Sequence, residues 1–409
     1  MMTSISLPQS PHLKRCEVLI IGGGIVGFTL ARELIARGTR RLIIIEKESD
    51  IALHASGRNS GVLHAGVYYP PESLKAKLCL KGNKLMRQFC EAHQLYLNPS
   101  GKVIVTRQPE ELPVLLELER RAKTNGANVE IIDEKQTAEI EPYAKTTEKA
   151  LYSKDTVIVD PKQIMRCLLK ELQATGHVDI LFQTQFLSRM NKNTVKTTNG
   201  TIQFDLLINA AGAYADRVAH EFSVGQNYSF IPFKGIYKKL RPDCSHLVHG
   251  NIYPVPNIQN PFLGVHFTKS ASGDVYLGPT AIPAFGRENY GLLKGIGSEA
   301  LKIAFQNLIL FMHNPKFRKV AMTEPFKYIK KFFFEDAKKL VKQLKPEWLM
   351  PTYKVGLRPQ LVNWQTKELM MDFVIERNEN TMHILNAISP AFTSSMAFAD
   401  YVIQRYVSL

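Results

Sequence analysis

The chain has 409 residues, 45% of them apolar and 22% charged, with a formal net charge of +15. That length suits two or three domains around a large core, and the composition is that of an ordinary globular protein. It excludes a membrane span, because no run of about eighteen uncharged apolar residues occurs. The five scattered cysteines (Cys16, Cys79, Cys90, Cys167, Cys244) form no CxxC pair, which argues against a metal centre or disulfide framework and for a reducing compartment.

The opening MMTSISLPQSPHLKR lacks the apolar core of a secretory signal and reads as a floppy lead-in. From 17 to 47 follows EVLIIGGGIVGFTLARELIARGTRRLIIIEK. An apolar run, 18–21, ends in Gly22, Gly24 and Gly27. A helical pattern (Leu30, Ala31, Leu34, Ile35) stops at Gly38, and a second apolar run, 42–45, closes on Glu46. This spacing predicts a strand, tight turn, helix and parallel strand that bind a dinucleotide. Gly22 permits the turn, Gly24 lets backbone approach a pyrophosphate, and Gly27 lets the helix lie close on the strand. The helix N-terminus offers N–H groups to the phosphates. Glu46 can accept bonds from ribose hydroxyls and would repel a 2′-phosphate. NAD and FAD fit this fingerprint equally well.

A polar loop, HASGRNSGVLHAGVYYPP, leads to a helix over 73–93. A strand at 101–106 precedes a helix over 110–124, entered through Pro109 with acids in its first turn. A short strand before Asp160–Pro161 is followed by a helix ending at Gly176. Short strands are expected at 178–182, 194–198, 202–204 and 206–209, the last running into a small-residue turn, 210–213. Residues 230–290 are rich in strands and turns, 299–344 helical and basic. A strand pair near 370–376 and 382–385 then precedes a terminal helix.

Small-residue turns near Gly22, Ala211 and Ser389 come from distant parts of the chain. One discontinuous cofactor domain (15–92, 155–222 and 350–409) accounts for all three. The remainder (93–154 and 223–349, with a basic helical region at 299–345) forms a substrate or cap domain. Without crossover helices in 225–290, that domain's sheet should be antiparallel. The predicted class is α/β: a Rossmann-like dinucleotide-binding domain plus a mostly antiparallel β-sheet substrate domain with a helical basic insertion.

INAAGAYAD, between a strand and a helix, resembles the motif by which two-dinucleotide-binding-domain flavoproteins approach bound FAD. With EVLIIGGGIVG and IIIEK it makes the chain resemble the D-amino-acid-oxidase/glycine-oxidase group of FAD-dependent oxidoreductases. Within that group the chain is most similar to the L-2-hydroxyglutarate dehydrogenase/oxidase family. The similarity is carried by SGRNSGVLHAGVYYPPESLKAKLC, VDPKQ, INAAGAYADRVA, PFKGIY, PFLGVHFT, DVYLGPTA, GLRPQL and NAISPAFTSS, in that order. Arg58 and Ala65 sit in a slightly variant loop, and Lys234 stands where PFRG would carry arginine. Lysine keeps the charge there but loses the bidentate fork.

The resemblance implies FAD as cofactor, a small anionic 2-hydroxy diacid as substrate, and a quinone or oxygen as electron acceptor. It implies cofactor contacts from Gly22, Gly24, Gly27, Glu46, Lys47, Arg58, Asn59, Ser60, Ala211, Gly212, Gly356, Pro390, Thr393 and Ser394. The N-terminus of the last helix would point at the flavin pyrimidine. His266, mid-strand with Val265 and Phe267 on the opposite face, is the favoured base, and His64 is its competitor. A diacid needs two anion sites, for which Arg358 and Lys234 are the candidates, with Tyr68, Tyr69 and Tyr253 as hydroxyl donors. Two other readings remain open: an amine oxidase of the glycine/sarcosine type, and a basic flavoprotein that binds nucleic acid. The latter is the weaker, since no nucleic-acid module is recognisable.

Between 302 and 345 stand eleven Lys/Arg against three acids, a net of +8, interleaved with Phe and Leu. That pattern fits an interfacial helix on anionic lipid as well as a solvated helical hairpin. It gives the expectation of a cytoplasmic protein lying peripherally on the inner face of the membrane.

Overall fold

The computed structural model describes residues 13–257 and 263–407. The lead-in through His12, and Pro261 and Phe262 of the PFLGVHFT motif, lie outside the described residues.

In chain order, strand β1 (Leu13–Ile21), helix α1 (Ile25–Ala36) and strand β2 (Leu42–Ile45) form the expected opening unit. Helix α2 (Leu74–Ala92) starts at Ser73, whose hydroxyl accepts the Ala76 N–H at 3.1 Å. Strand β3 (Lys102–Val105) follows, then helix α3 (Pro161–Ala174), capped by Asp160 with Pro161 in its first turn. Next come β4 (Val178–Leu181), β5 (Gly200–Asn209), β6 (Tyr228–Leu240), β7 (Asn251–Pro254) and β8 (His266–Lys269). Helices α4 (Ala300–His313), α5 (Pro315–Thr323) and α6 (Lys330–Ala337) make up the basic region. Strand β9 (Leu349–Asn363), strand β10 (Thr381–Ile384) and helix α7 (Ala391–Tyr406) close the chain.

Two large sheets organise these elements. In the first, of eight strands, β4, β2, β1, β5 and β10 run parallel as neighbours in that order. Their register brings Ile21, Ile45, Asn209 and His383 to one carboxyl edge. All four residues of β2 are buried, as a parallel strand covered on both faces requires. One face carries α1, α3 and α7, which pack on Ile20, Ile44, Ile208 and Met382.

The second sheet has ten strands and is mostly antiparallel; β7 beside β3 is a parallel pair. Its longest pairing joins β6 to β9, from Tyr228 opposite Asn363 to Leu240 opposite Leu349. This moves a boundary. Residues 349–363, expected in the cofactor domain from 350 onward, run along β6 in the second sheet, and the chain re-enters the first sheet at Ile375–Asn378. The pairing is antiparallel and runs almost the whole length of both strands.

Three local expectations also change. The strands expected at 202–204 and 206–209 are one continuous strand, β5, because Asp205 faces outward without interrupting the pairing to β1. A strand at Phe186–Asn191 and a helix at Glu134–Ile140 were not foreseen. The helix is set by a capping box, Asp133 with Gln136.

Candidate active site

A cavity of about 720 Å³ lies between the carboxyl edge of the parallel strands and the second sheet. One end is formed largely by backbone. Gly22 and Gly24 follow β1, Glu46 follows β2, and Ala211 and Gly212 follow β5; all line the cavity. A Cβ on Gly22, whose φ is +113°, would stand 2.4 Å from the Ala210 carbonyl oxygen. One on Gly27 would stand 2.0 Å from the Gly22 carbonyl oxygen. Gly27 is therefore a packing residue that seats α1 on the turn, and it does not itself line the cavity. The N-terminus of α1 has no acid in its first turn, so its dipole is left for an anionic ligand. Ser56, which sequence reasoning missed, accepts the Ile25 N–H at 2.9 Å and fixes that end.

Glu46 is held in place before any ligand arrives. Its Oε2 accepts the Gly23 N–H at 2.9 Å and its Oε1 the Glu48 N–H at 3.0 Å. Each oxygen retains a lone pair for a ribose hydroxyl. Lys47, Arg58, Asn59 and Ser60 also line the cavity. The Lys47 ammonium donates to Glu48 and to Glu288, the latter at 2.7 Å, and lies 3.0 Å from His54 Nε2. Glu48, His54 and Glu288 are close enough together to hold a metal ion, but the Lys47 ammonium already contacts all three. The Arg58 guanidinium stacks 4.2 Å over the Tyr290 ring.

The other end is made by side chains. His64, Tyr237, Tyr253, His266 and Arg358 meet there, brought from the loop after Gly61, from β6, β7 and β8, and from β9. Gly235 and Gly356 stand opposite each other in the β6–β9 pairing, leaving the cavity open at that level. His266 stacks on Tyr253 with ring centroids 3.8 Å apart. Its Nδ1 lies 2.9 Å from the Gly264 carbonyl oxygen, so Nδ1–H donates there and Nε2 keeps its lone pair. Burial, with Arg358, His64 and Lys102 nearby, pushes the His266 pKa down to about 3. Burial, then Lys102 and Arg358, does the same to His64, also about 3. Both imidazoles are neutral at pH 7, the form able to take a proton. The backbone of His64 is fixed by Thr393 Oγ1, which accepts its N–H at 3.2 Å. Gly356, Pro390 and Thr393 complete the wall.

Besides Gly27, four expected contacts do not reach the cavity. Lys234 is buried, and its ammonium donates to the Gly291 carbonyl oxygen at 2.6 Å. Strand alternation explains this: Gly235 and Tyr237 of β6 face the cavity, so Lys234 faces the other side. Ser394 turns into the contact between α7 and α2, where Gly82 lies against its Cα. Tyr68 packs in an apolar cluster with Ile104 and Leu115, and Tyr69 lies beside Lys75, its ring 6.0 Å from that ammonium. Both tyrosines stand behind the wall.

Lys102 was missed. It opens β3, is 1% exposed, and its ammonium lies 4.5 Å from the Tyr68 ring and 5.1 Å from the Tyr253 ring. Burial lowers its pKa to about 7. Lys102 Nζ, Tyr68 Oη and His64 Nδ1 all lack a hydrogen-bond partner among the described residues. A lysine opening the apolar run GKVIV was the available signal, because a strand buried on both faces gives its first side chain no route to solvent.

Comparison with known proteins adds the cofactor. The family model described as FAD dependent oxidoreductase (DAO) matches residues 17–405. The mitochondrial L-2-hydroxyglutarate dehydrogenase of Caenorhabditis elegans is 34% identical, covering 98% of this chain and 95% of the relative. The L-2-hydroxyglutarate dehydrogenase of Indibacter alkaliphilus is 35% identical, covering 95% of this chain and 98% of the relative. Among solved structures, the dithionite-reduced L-alpha-glycerophosphate oxidase of Mycoplasma pneumoniae with FAD bound superposes with a TM-score of 0.75 at 21% identity. It covers 96% of this chain and 94% of its own, and shares the fold.

FAD is the cofactor, and the residues present fit it. The Gly22 turn, which a Cβ would block, the acid-free N-terminus of α1 and the oriented Glu46 carboxylate suit its pyrophosphate and ribose. No helix among the described residues is long and apolar enough to cross a membrane.

Proposed function

The chain belongs to the FAD dependent oxidoreductase family, alongside the L-2-hydroxyglutarate dehydrogenases, and on that premise we propose that it oxidises L-2-hydroxyglutarate to 2-oxoglutarate. The observation that carries this reading is the meeting of two neutral imidazoles with Arg358 at the inner end of the cavity. FAD, when bound, supplies an acceptor for the hydride that leaves the substrate α-carbon.

The chain's own residues do the rest. The Arg358 fork holds the carboxylate next to the reacting carbon and fixes its plane. His266 Nε2 takes the hydroxyl proton, and its tautomer is set by the Gly264 carbonyl. Tyr253, stacked on His266, holds the ring's tilt. The apolar walls exclude water and strengthen each of these contacts. Electrons then pass to a quinone or to oxygen, and the protein works peripherally at the inner face of a membrane.

The test is anaerobic mixing of the FAD-loaded protein with 2-hydroxy and 2-amino acids. Bleaching of the flavin band by L-2-hydroxyglutarate, and not by its D-isomer, glycine or sarcosine, is the expected result. Bleaching by the amino compounds alone would overturn the reading. Re-oxidation of the bleached protein by oxygen or by a soluble quinone then identifies the acceptor.

A further inference from the structure

The face that α4 turns to solvent is chemically wrong for solvent. A helix lying on a globular protein normally buries one stripe and exposes a polar one. Helix α4 buries Ile303 and Leu310 against the protein, yet its outer stripe is Leu301, Phe305, Leu308 and Met312. These recur at the spacing of a single helix face. Leu301 is 86% exposed and Phe305 64%. The preceding loop presents Leu292 and Leu293 at 74% and 75%, and Phe326 and Ile329 are exposed beyond α5. An apolar surface of this extent marks a binding face.

Its borders are cationic. Lys302, Lys316, Lys319, Lys330 and Lys331 are all exposed. The acids that flank α4 are paired inward: Glu299 with Arg217 and Arg287, and Glu324 with Lys327 and the Ala281 N–H. The face is also narrower than the charge pattern predicts. It begins at Leu292, before the basic stretch, and stops near Phe332, because Ala337, Leu340, Val341 and Leu344 are buried in the second sheet's core.

We propose that the outer face of α4, with the Leu292–Leu293 tip, docks in the plane of an anionic phospholipid bilayer. The apolar stripe enters the acyl boundary and the lysines contact the headgroups. Charge favours lipid over other occupants. A second copy on a two-fold axis would set these lysines against themselves. A nucleic-acid backbone offers nothing for Leu301 and Phe305.

The docking face also joins the cavity. Glu288 and Tyr290 line it just before the tip, and the loop between is fastened from inside. Asn289 Nδ2 donates to the Gly291, Leu292 and Lys294 carbonyl oxygens at 3.0, 3.4 and 2.9 Å. Arg287 forms a bidentate pair with Asp216 at 2.6 and 2.9 Å. Docking the tip would therefore bring this wall of the cavity to the bilayer. Docking by this face rests on the peripheral placement proposed above and names its surface and lipid class; it stays separable from the substrate reading because its readout needs no turnover.

The FAD-loaded protein is sedimented with phosphatidylcholine vesicles, with and without phosphatidylglycerol. Binding only to the vesicles containing phosphatidylglycerol, weakened by salt, is expected. The doubly substituted Leu301→Ser, Phe305→Ser protein should bind at least about tenfold more weakly, with flavin content and melting temperature unchanged. As a folding-independent check, Leu301→Trp should shift its emission to the blue on the same vesicles. Absence of vesicle binding, equal binding by the double variant, or an unshifted tryptophan each overturns the proposal. So does a dimer that the double variant dissolves while neither protein binds vesicles.

Discussion

The two ends of the cavity are built in opposite ways. At the cofactor end, contacts come from main chain: the Gly22 turn, the α1 N-terminus, and a Glu46 carboxylate itself held by two N–H groups. At the substrate end, contacts come from side chains on different strands, and His64 Nδ1 there has no hydrogen-bond partner among the described residues. The first end is finished before a ligand arrives. The second has neutral bases in place, and His64 Nδ1 leaves its pairing to the ligand. Backbone sites tolerate almost no added atom, whereas side-chain sites tolerate shape changes and respond to charge and protonation.

The largest effect should therefore come from the smallest addition at the cofactor end. Gly27→Ala places a methyl group 2.0 Å from the Gly22 carbonyl oxygen, and neither backbone can yield. A loss of about 3 kcal/mol or more is expected, read as a lower urea midpoint with little flavin retained. An alanine variant with wild-type flavin content would show that the backbone there is adaptable after all.

At the other end, His266→Ala should leave flavin content near wild type and cut turnover by about 10²–10⁴-fold. The contrast between the two readouts is the point. If turnover is unchanged while His64→Ala abolishes it, the base is His64, whose Nδ1 is unpartnered in the same chamber.

This division also decides what could be read from sequence. GxGxxG, the acid after β2 and INAAG specify backbone geometry, which depends on local residue type; the parallel pairing of β1 with β2 followed from them. Side-chain placement depends on register. Lys234 and Gly235 are adjacent in PFKGIY, and only the alternation of β6 puts one behind the wall and the other on it. Tyr68, Tyr69 and Ser394 failed for a related reason: a loop or helix start does not by itself fix which way consecutive side chains point. Residues from 350 onward were assigned to the cofactor domain because sequence order does not name a pairing partner, and the partner of β9, β6, lies more than a hundred residues earlier. Lys102 passed unnoticed because burial of a charge is a tertiary fact.

A pH series separates the two ends further. His64 and His266 are held near pKa 3 when folded and return to about 6.5 when unfolded. Below pH 6.5 the unfolded chain takes up protons that the folded chain refuses. Stability contributed by each therefore falls as pH drops from about 6.5 toward 3, by up to about 1.4 kcal/mol per pH unit per histidine. Urea midpoints between pH 7 and pH 5 should decline less steeply for His266→Ala than for wild type. Parallel curves would mean that the chamber already admits the protonated ring.

The smallest effect tests the correction at Lys234. Its ammonium donates to the Gly291 carbonyl oxygen on the far side of β6, at 2.6 Å, so it anchors the loop that ends in Leu292. Lys234→Met keeps the buried stem and removes one hydrogen bond, at a cost of about 1 kcal/mol in stability. The KM for L-2-hydroxyglutarate should stay within about twofold, since no ligand contact is lost. Lys102→Met is the companion measurement. It removes a cation that holds both imidazoles down, so it should move the acid limb of the kcat/KM profile to higher pH while Lys234→Met leaves that limb in place. A large rise in KM for Lys234→Met with an unmoved profile for Lys102→Met would exchange their roles, and would show that a lysine behind the strand can still reach the substrate once the site is filled.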